Sequence, residues 1–179
     1  MELKFPFEPL RTVQAAAQVV KAAGGRIDCQ KLMNILYLAD RSSLIETGSP
    51  ITGDVMFLAD DEEKVYGLWW VYWCMWEGWP IRGWDKAFGD DAEFITLESD
   101  PGDGELSDYD VDLLQKIHGT YPGTDPSFLP EWKLPKDEVV LRLKPEEVLR
   151  AEGFSEEDVT AYQERYAPIA AMDSIRIIR

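Results

Sequence analysis

The sequence holds one histidine, His118, and two cysteines, Cys29 and Cys74, among 179 residues. A metal site built on several histidines is thereby excluded, and the cysteines lack the C-x-x-C spacing of a zinc or redox motif. Both fall in apolar helical patterns and read as reduced core residues of a cytosolic protein. Long apolar runs are missing too: the longest, Leu68 to Trp76, covers nine residues, against the roughly 20 that a membrane-spanning helix needs. The N-terminal stretch MELKFPFEPLRTV has no basic flank followed by an apolar run, so no signal peptide and no membrane contact are expected, and the chain is placed in the cytoplasm. Neither G-x-G-x-x-G nor G-x-x-x-x-G-K-[ST] occurs, which leaves a phosphate-cradling loop without support. Asp100, Asp103 and Glu105 lack the spacing of an EF-hand loop. No G-x-S-x-G accompanies His118, which reads as a structural histidine. The expectation is a non-enzyme with no catalytic, cofactor-binding or metal-binding residues, and hence no cofactor.

Positive charge is also scarce. Lys and Arg number 18 against 34 Asp and Glu, a formal net charge of −16. It is unevenly spread: residues 1–41 hold 6 basic and 4 acidic residues, and the remainder 12 and 30. Direct nucleic-acid binding is not expected of such a chain. Its field favours basic protein partners, and it also serves solubility.

What is present is a large apolar complement, 45% hydrophobic and 12% aromatic, enough for one domain over residues 1–179 with a sizeable core. The stretch Asp28 to Gly48 reads as an enclosed helix, with Asp28 as its N-cap and Gly48 as the left-handed residue that ends it. Its apolar side chains cover nearly the whole circumference, so it is the central helix. Lys31 and Asp40 fall inside that apolar territory on opposite flanks, and each needs a partner elsewhere.

Around it the expected elements follow in order. Residues 10–20 form an alanine-rich amphipathic helix that stops at Gly24-Gly25. Ile51 to Leu58 is either a short strand or an ordered loop. The acids Asp60 to Glu63 suit the N-terminus of a third helix running to Glu77, with Tyr66 and Trp73 on the shoulder of its apolar face and Trp70 on the opposite side. Trp70 is then either covered by the following loop or left open for a partner. Residues 78–106 form a long loop in which Glu93 to Glu98 alternates like a strand and suits pairing with 55–58. Ser107 and Asp110, and again Ser155 and Asp158, have capping-box form. Val139 to Leu143 reads as extended. The C-terminal part, 144–176, reads as a helical extension, kinked or interrupted at Pro168. The fold class expected is mainly α: a single compact helical domain around a buried central helix, with a small β element of short strands near 55–58 and 93–98.

One spacing is more specific than composition. Lys31-Leu32, Leu36-Tyr37, Ala39-Asp40, then Gly48 and Pro50-Ile51-Thr52-Gly53-Asp54, resemble the hallmark of the Panacea domain, the SocA-like antitoxin group. In that family a KL-x-x-LLY-x-AD helix precedes a G-x-P-ITGD turn. Leu106-Ser107 and Leu129-Pro130-Glu131-Trp132 resemble later family segments in the same order. The chain departs from the family pattern at Glu63-Lys64-Val65, where a Gly-Pro-Val element is usual, and before Leu129, where Ser127-Phe128 stand in place of a Thr-His pair.

The resemblance implies a bacterial or phage antitoxin that neutralises a toxin encoded next to it by direct protein binding. Lys31, Leu32, Leu36, Tyr37, Ala39, Asp40, Gly53 and Asp54 are then fold-defining residues, with Lys31 and Asp40 as charges that fix loops against the central helix. Tyr66, Trp70 and Trp73 are the candidates for partner contact. The alternatives are an adaptor that delivers a bound protein to a protease, and an acidic nucleic-acid mimic that blocks a basic partner.

Overall fold

The computed structural model describes residues 3–60, 64–91, 93–123, 125–132, 134, 137 and 139–176. Its axis is helix α2 (Cys29–Thr47), whose side chains from Leu32 to Asp40 are all buried. Both ends follow from local chemistry. The Asp28 carboxylate accepts the Lys31 amide at 2.8 Å, and Gly48, at φ 87°, returns its N–H to the Leu44 carbonyl at 3.0 Å. Alanine-rich α1 (Pro9–Ala22) and α5 (Asp108–Thr120) pack on α2. The α5 N-terminus carries the reciprocal Ser107–Asp110 box read from the sequence.

The expectation of a mainly helical domain is corrected by two three-stranded antiparallel sheets. The chain is 52% helix and 14% strand, a mixed α/β architecture. One sheet has the order β1-β5-β4, formed by Arg26–Asp28, Phe94–Leu97 and Phe88–Asp90. The other has the order β3-β2-β6, formed by Lys64–Leu68, Met56–Asp60 and Val140–Arg142. The strands expected near 55–58 and 93–98 are β2 and β5, the central strands of the two sheets, and the extended stretch Val139 to Leu143 holds the edge strand β6. β2 and β5 do not pair with each other: β5 lies between β1 and β4, and β2 between β3 and β6. Of the other strands, β1 and β4 have three residues each, too few for alternation to show, and β3 runs without a break into the apolar stretch of α3.

The third helix is corrected in the same way. Asp60 ends β2, residues 61–63 lie outside the described residues, and Lys64 to Leu68 is a strand, so that helix α3 covers only Trp69–Glu77. Val65 and Tyr66 favour a pleated surface. Gly67 allows a close approach: a Cβ there would stand 2.8 Å from the Phe57 ring and 3.0 Å from Met33 Sδ. The loop expected over 78–106 contains a short helix, α4 (Trp84–Ala87), besides β4 and β5. At the C-terminal end, α6 (Pro145–Ala151) and α7 (Glu156–Arg176) follow, and α7 continues through Pro168. A small second core of Leu3, Leu149, Val159, Tyr162 and Ala167 forms beside the main one. No helix among the described residues is long and apolar enough to cross a membrane.

Candidate functional site: an aromatic surface on a carboxylate anchor

Helix α3 begins directly from a strand, and its N-cap, Leu68, has no side-chain acceptor to offer. The first amides of such a helix need acceptors from elsewhere. Asp54 supplies them from the turn after α2: its carboxylate accepts the Trp70 amide at 2.9 and 3.0 Å, the Val71 amide at 3.1 Å and the Val55 amide at 2.7 Å. The turn that presents Asp54 is fixed from two sides. Asp40, buried in α2, accepts the Thr52 amide at 2.9 Å and also the Thr52 hydroxyl, whose oxygen in turn accepts the Asp54 amide at 3.1 Å. From the other side, the Glu8 amide donates to the Thr52 carbonyl at 2.9 Å. The motif residues Asp40, Gly53 and Asp54 thus form one assembly that seats α3.

What α3 carries is aromatic. Trp70 stacks on Phe7, with ring centroids 5.9 Å apart, and lies 5.8 Å from Trp79. Gly78, in the left-handed region at φ 67°, turns the chain so that the Trp79 amide donates to the Trp73 carbonyl and its ring stacks on Trp73 at 5.3 Å. Trp69 meets Trp73 and Phe57 edge-on, with the Arg142 guanidinium 4.2 Å from its ring centroid. Tyr72 stacks on Trp76 at 4.9 Å. Within this network Trp70 and Trp76 are each 37% exposed and Trp79 is 45% exposed. Trp70 meets Trp79 directly and Trp76 joins them through Tyr72 and Trp73, so the exposed indoles belong to one aromatic network on an ordered support, the kind of surface that marks protein interaction.

Of the three residues singled out from the sequence, Trp70 lies on this patch and Trp73 is half-buried beneath Trp79. Tyr66 does not belong to it. It is 3% exposed, tilted against Tyr37 at 5.5 Å, and its hydroxyl donates to the Pro130 carbonyl. Reading 64–68 as helix put Tyr66 on the same shoulder as Trp73, and the strand separates them. Trp76 and Trp79 escaped the sequence reading. The signal available for Trp79 was its place after Gly78, where a helix ends and the chain folds back.

The other motif residues divide. Leu32, Leu36 and Ala39 are core, and Tyr37 is buried in it, its phenol pushed up to about 12 by burial despite the nearby Arg41. Lys31 departs from the expectation of an anchored charge. It makes no ion pair among the described residues and instead borders a shallow groove with Arg26, Phe94 and His118. His118 is held below its ordinary pKa by burial, and the charge of Lys31 acts in the same direction.

Burial pushes the Asp40 carboxyl up to about 7 and the Asp54 carboxyl up to about 6, each against an ordinary value of 3.8, and their hydrogen-bond donors oppose the rise. The folded chain therefore binds these two protons more tightly than the unfolded chain does. The stability they contribute is full below about pH 4 and is lost as pH rises through 6 and 7. Urea unfolding is expected to give a stability at pH 5 higher than at pH 8 by on the order of 2–4 kcal/mol from these two groups. Asp40→Asn, close in shape and without the titration, is expected to remove the larger part of that slope; an unchanged slope would take Asp40 out of the account. The chain matches no protein-family model, no curated protein and no solved structure.

Proposed function

We propose that this chain is an antitoxin-like module of the Panacea kind, acting in the cytoplasm, which neutralises a toxin by binding it directly. The observation that carries the reading is the aromatic patch of Trp70 and Trp76 on α3, whose first turn is fixed by Asp54, with Trp79 folded back onto Trp73 from the turn that follows. Tryptophans on a pre-organised support lose little conformational freedom on binding and are enriched among the residues that dominate interface energy. The net charge of −16 assists encounter with a basic toxin. The resemblance of the Lys31–Asp40 helix and the Ile51–Asp54 turn to the antitoxin family supports the same reading. The mechanism is occlusion: the toxin's working surface is covered while the complex lasts.

The test uses the native locus. The adjacent open reading frame is expressed alone and together with this protein, and host growth is followed. Growth arrest relieved by co-expression is the expected result; arrest without relief would refute the reading. In the purified pair, Trp70→Ala and Trp79→Ala are each expected to weaken binding by on the order of 1–3 kcal/mol, roughly 5- to 150-fold in Kd. Titration calorimetry on variants whose melting temperatures match the parent checks this, and unchanged affinity in both would move the interface off α3.

A further inference from the structure

The sheet formed by β3, β2 and β6 has two edges of different kinds. At the β3 edge, Tyr66 and Leu68 are buried. At the β6 edge, Val139 is 52% and Val140 46% exposed, and Arg142 is exposed as well. The register pairs Leu58 with Leu141; on either side of that pair the Asp60 amide donates to the Val139 carbonyl at 2.9 Å and the Leu143 amide to the Met56 carbonyl at 2.8 Å. Backbone direction alternates along a strand. Leu141 and its alternate neighbours therefore serve the ladder to β2, while the amides and carbonyls of Val140 and Arg142 point away from it. Among the described residues, no group meets these outward amides and carbonyls.

Sheet edges are commonly guarded by proline, by a bulge or by a charge standing on the strand. On β6 these guards are missing. Residues 139–142 read V-V-L-R, with no proline, and their pairing to β2 runs without a bulge. The one charge is folded back onto the sheet: the Arg142 guanidinium lies 4.2 Å from the Trp69 ring centroid. Leu141, on the opposite face of the strand, packs against the main core.

We propose that β6 is a dimer seam. A second copy of this chain sets its own β6 antiparallel to the first, about a two-fold axis that passes between the two Leu141 residues, and the two three-stranded sheets become one continuous sheet. The strand is complementary to itself in that register. Val140 of each copy faces Arg142 of the other and exchanges both main-chain hydrogen bonds with it, so every outward group finds a partner. Leu141 meets Leu141 of the second copy across the axis, and each arginine stands beside a valine. A slip of the register that set Arg142 against Arg142 would place like charges side by side, which fixes the pairing. The seam is short, so the dimer is weak and depends on concentration. The net charge of −16 on each copy opposes their approach, and salt screens that repulsion. This distinguishes a second copy from a basic partner strand, whose binding salt would weaken. The seam does not use Trp70, Trp76 or Trp79 and does not rest on the antitoxin reading.

Sedimentation equilibrium of the full chain, from low micromolar to near-millimolar concentration in low and in high salt, tests it together with amide hydrogen exchange over the same range. The mean mass is expected to climb from one chain toward two, and further in high salt. Exchange at Val140 and Arg142 is expected to slow about fivefold or more as concentration rises, while the amides of Leu58 and Leu141, already in the ladder, stay unchanged. Val140→Pro removes an outward amide from each copy without touching the ladder to β2, and an edge strand tolerates proline. It is expected to weaken the dimer about tenfold. Val140→Lys keeps the amide and sets a lysine beside Arg142 of the second copy; it is expected to weaken the dimer too, more in low salt than in high. Trp70→Ala is expected to dimerise as the parent does. A chain that stays monomeric throughout, a dimer that weakens with added salt, unchanged exchange at Val140 and Arg142, a dimer kept by both Val140 variants, or one lost in Trp70→Ala would each overturn the proposal.

Discussion

Gly53→Ala is expected to lower the unfolding free energy by about 3 kcal/mol or more, counting both left-handed strain and a forced backbone displacement. Gly53 sits at φ 68°, and a Cβ there would lie 1.9 Å from the Pro6 carbonyl oxygen and 2.8 Å from the Pro6 carbonyl carbon. Backbone, unlike the end of a long side chain, cannot swing aside. The N-terminal arm would have to leave the Thr52 turn, and with it the hydrogen bond from the Glu8 amide. Gly24→Ala is the internal control. Its φ of 85° is equally left-handed, yet a Cβ there meets nothing within 4 Å, so only the strain of about 1–2 kcal/mol remains. Urea midpoints of the two variants separate the terms. Equal losses would mean that the arm's approach to Gly53 contributes nothing.

Much of the helical frame was legible because helix ends are marked by local chemistry. Asp28, Gly48, Ser107 with Asp110, and Ser155 with Asp158 each satisfy backbone groups within three or four residues of themselves, so the signal and the structure share the same short stretch. β3 was illegible for the opposite reason. Read alone, Lys64 to Leu68 continues smoothly into the apolar run of α3. What makes it a strand is pairing with β2 and the packing of Phe57 and Met33 over Gly67, contacts that lie outside the window a periodicity can see. The same holds for the candidate site. Asp54 belongs to a recognisable turn, but its role as the acceptor for α3 joins residues 16 apart in the chain. Trp79 reaches the patch only because Gly78 reverses the chain onto Trp73. Lys31 shows the limit of the rule that a charge in apolar territory must be paired. Its stem lies on the apolar flank of α2, its residue is half-buried at the rim of a shallow groove, and among the described residues it makes no ion pair.

Asp54→Ala carries the second large effect, because one carboxylate satisfies amides that would otherwise be orphaned at the start of α3. Losing the acceptor of Trp70 and Val71 in a buried setting is expected to cost about 2–4 kcal/mol, combining a helix cap with unsatisfied buried donors. Asp54→Asn keeps one acceptor oxygen and adds an amide that has no accepting group to meet among Trp70, Val71 and Val55, so it is expected to recover about half of the loss. The alanine variant should also loosen the support beneath Trp70, Trp73 and Trp79, and acrylamide quenching of tryptophan fluorescence at low denaturant is expected to rise above the parent's. Partner affinity should then fall although Asp54 faces the helix and not the partner, and more steeply in Asp54→Ala than in Asp54→Asn. If both variants kept the parent's stability and quenching, α3 would be held by the ring contacts of Phe7, Phe57 and Arg142 alone. The carboxylate would then be an incidental neighbour. If stability fell but quenching and affinity did not, the tryptophan patch would be self-supporting, and the motif turn would serve the fold without serving the surface.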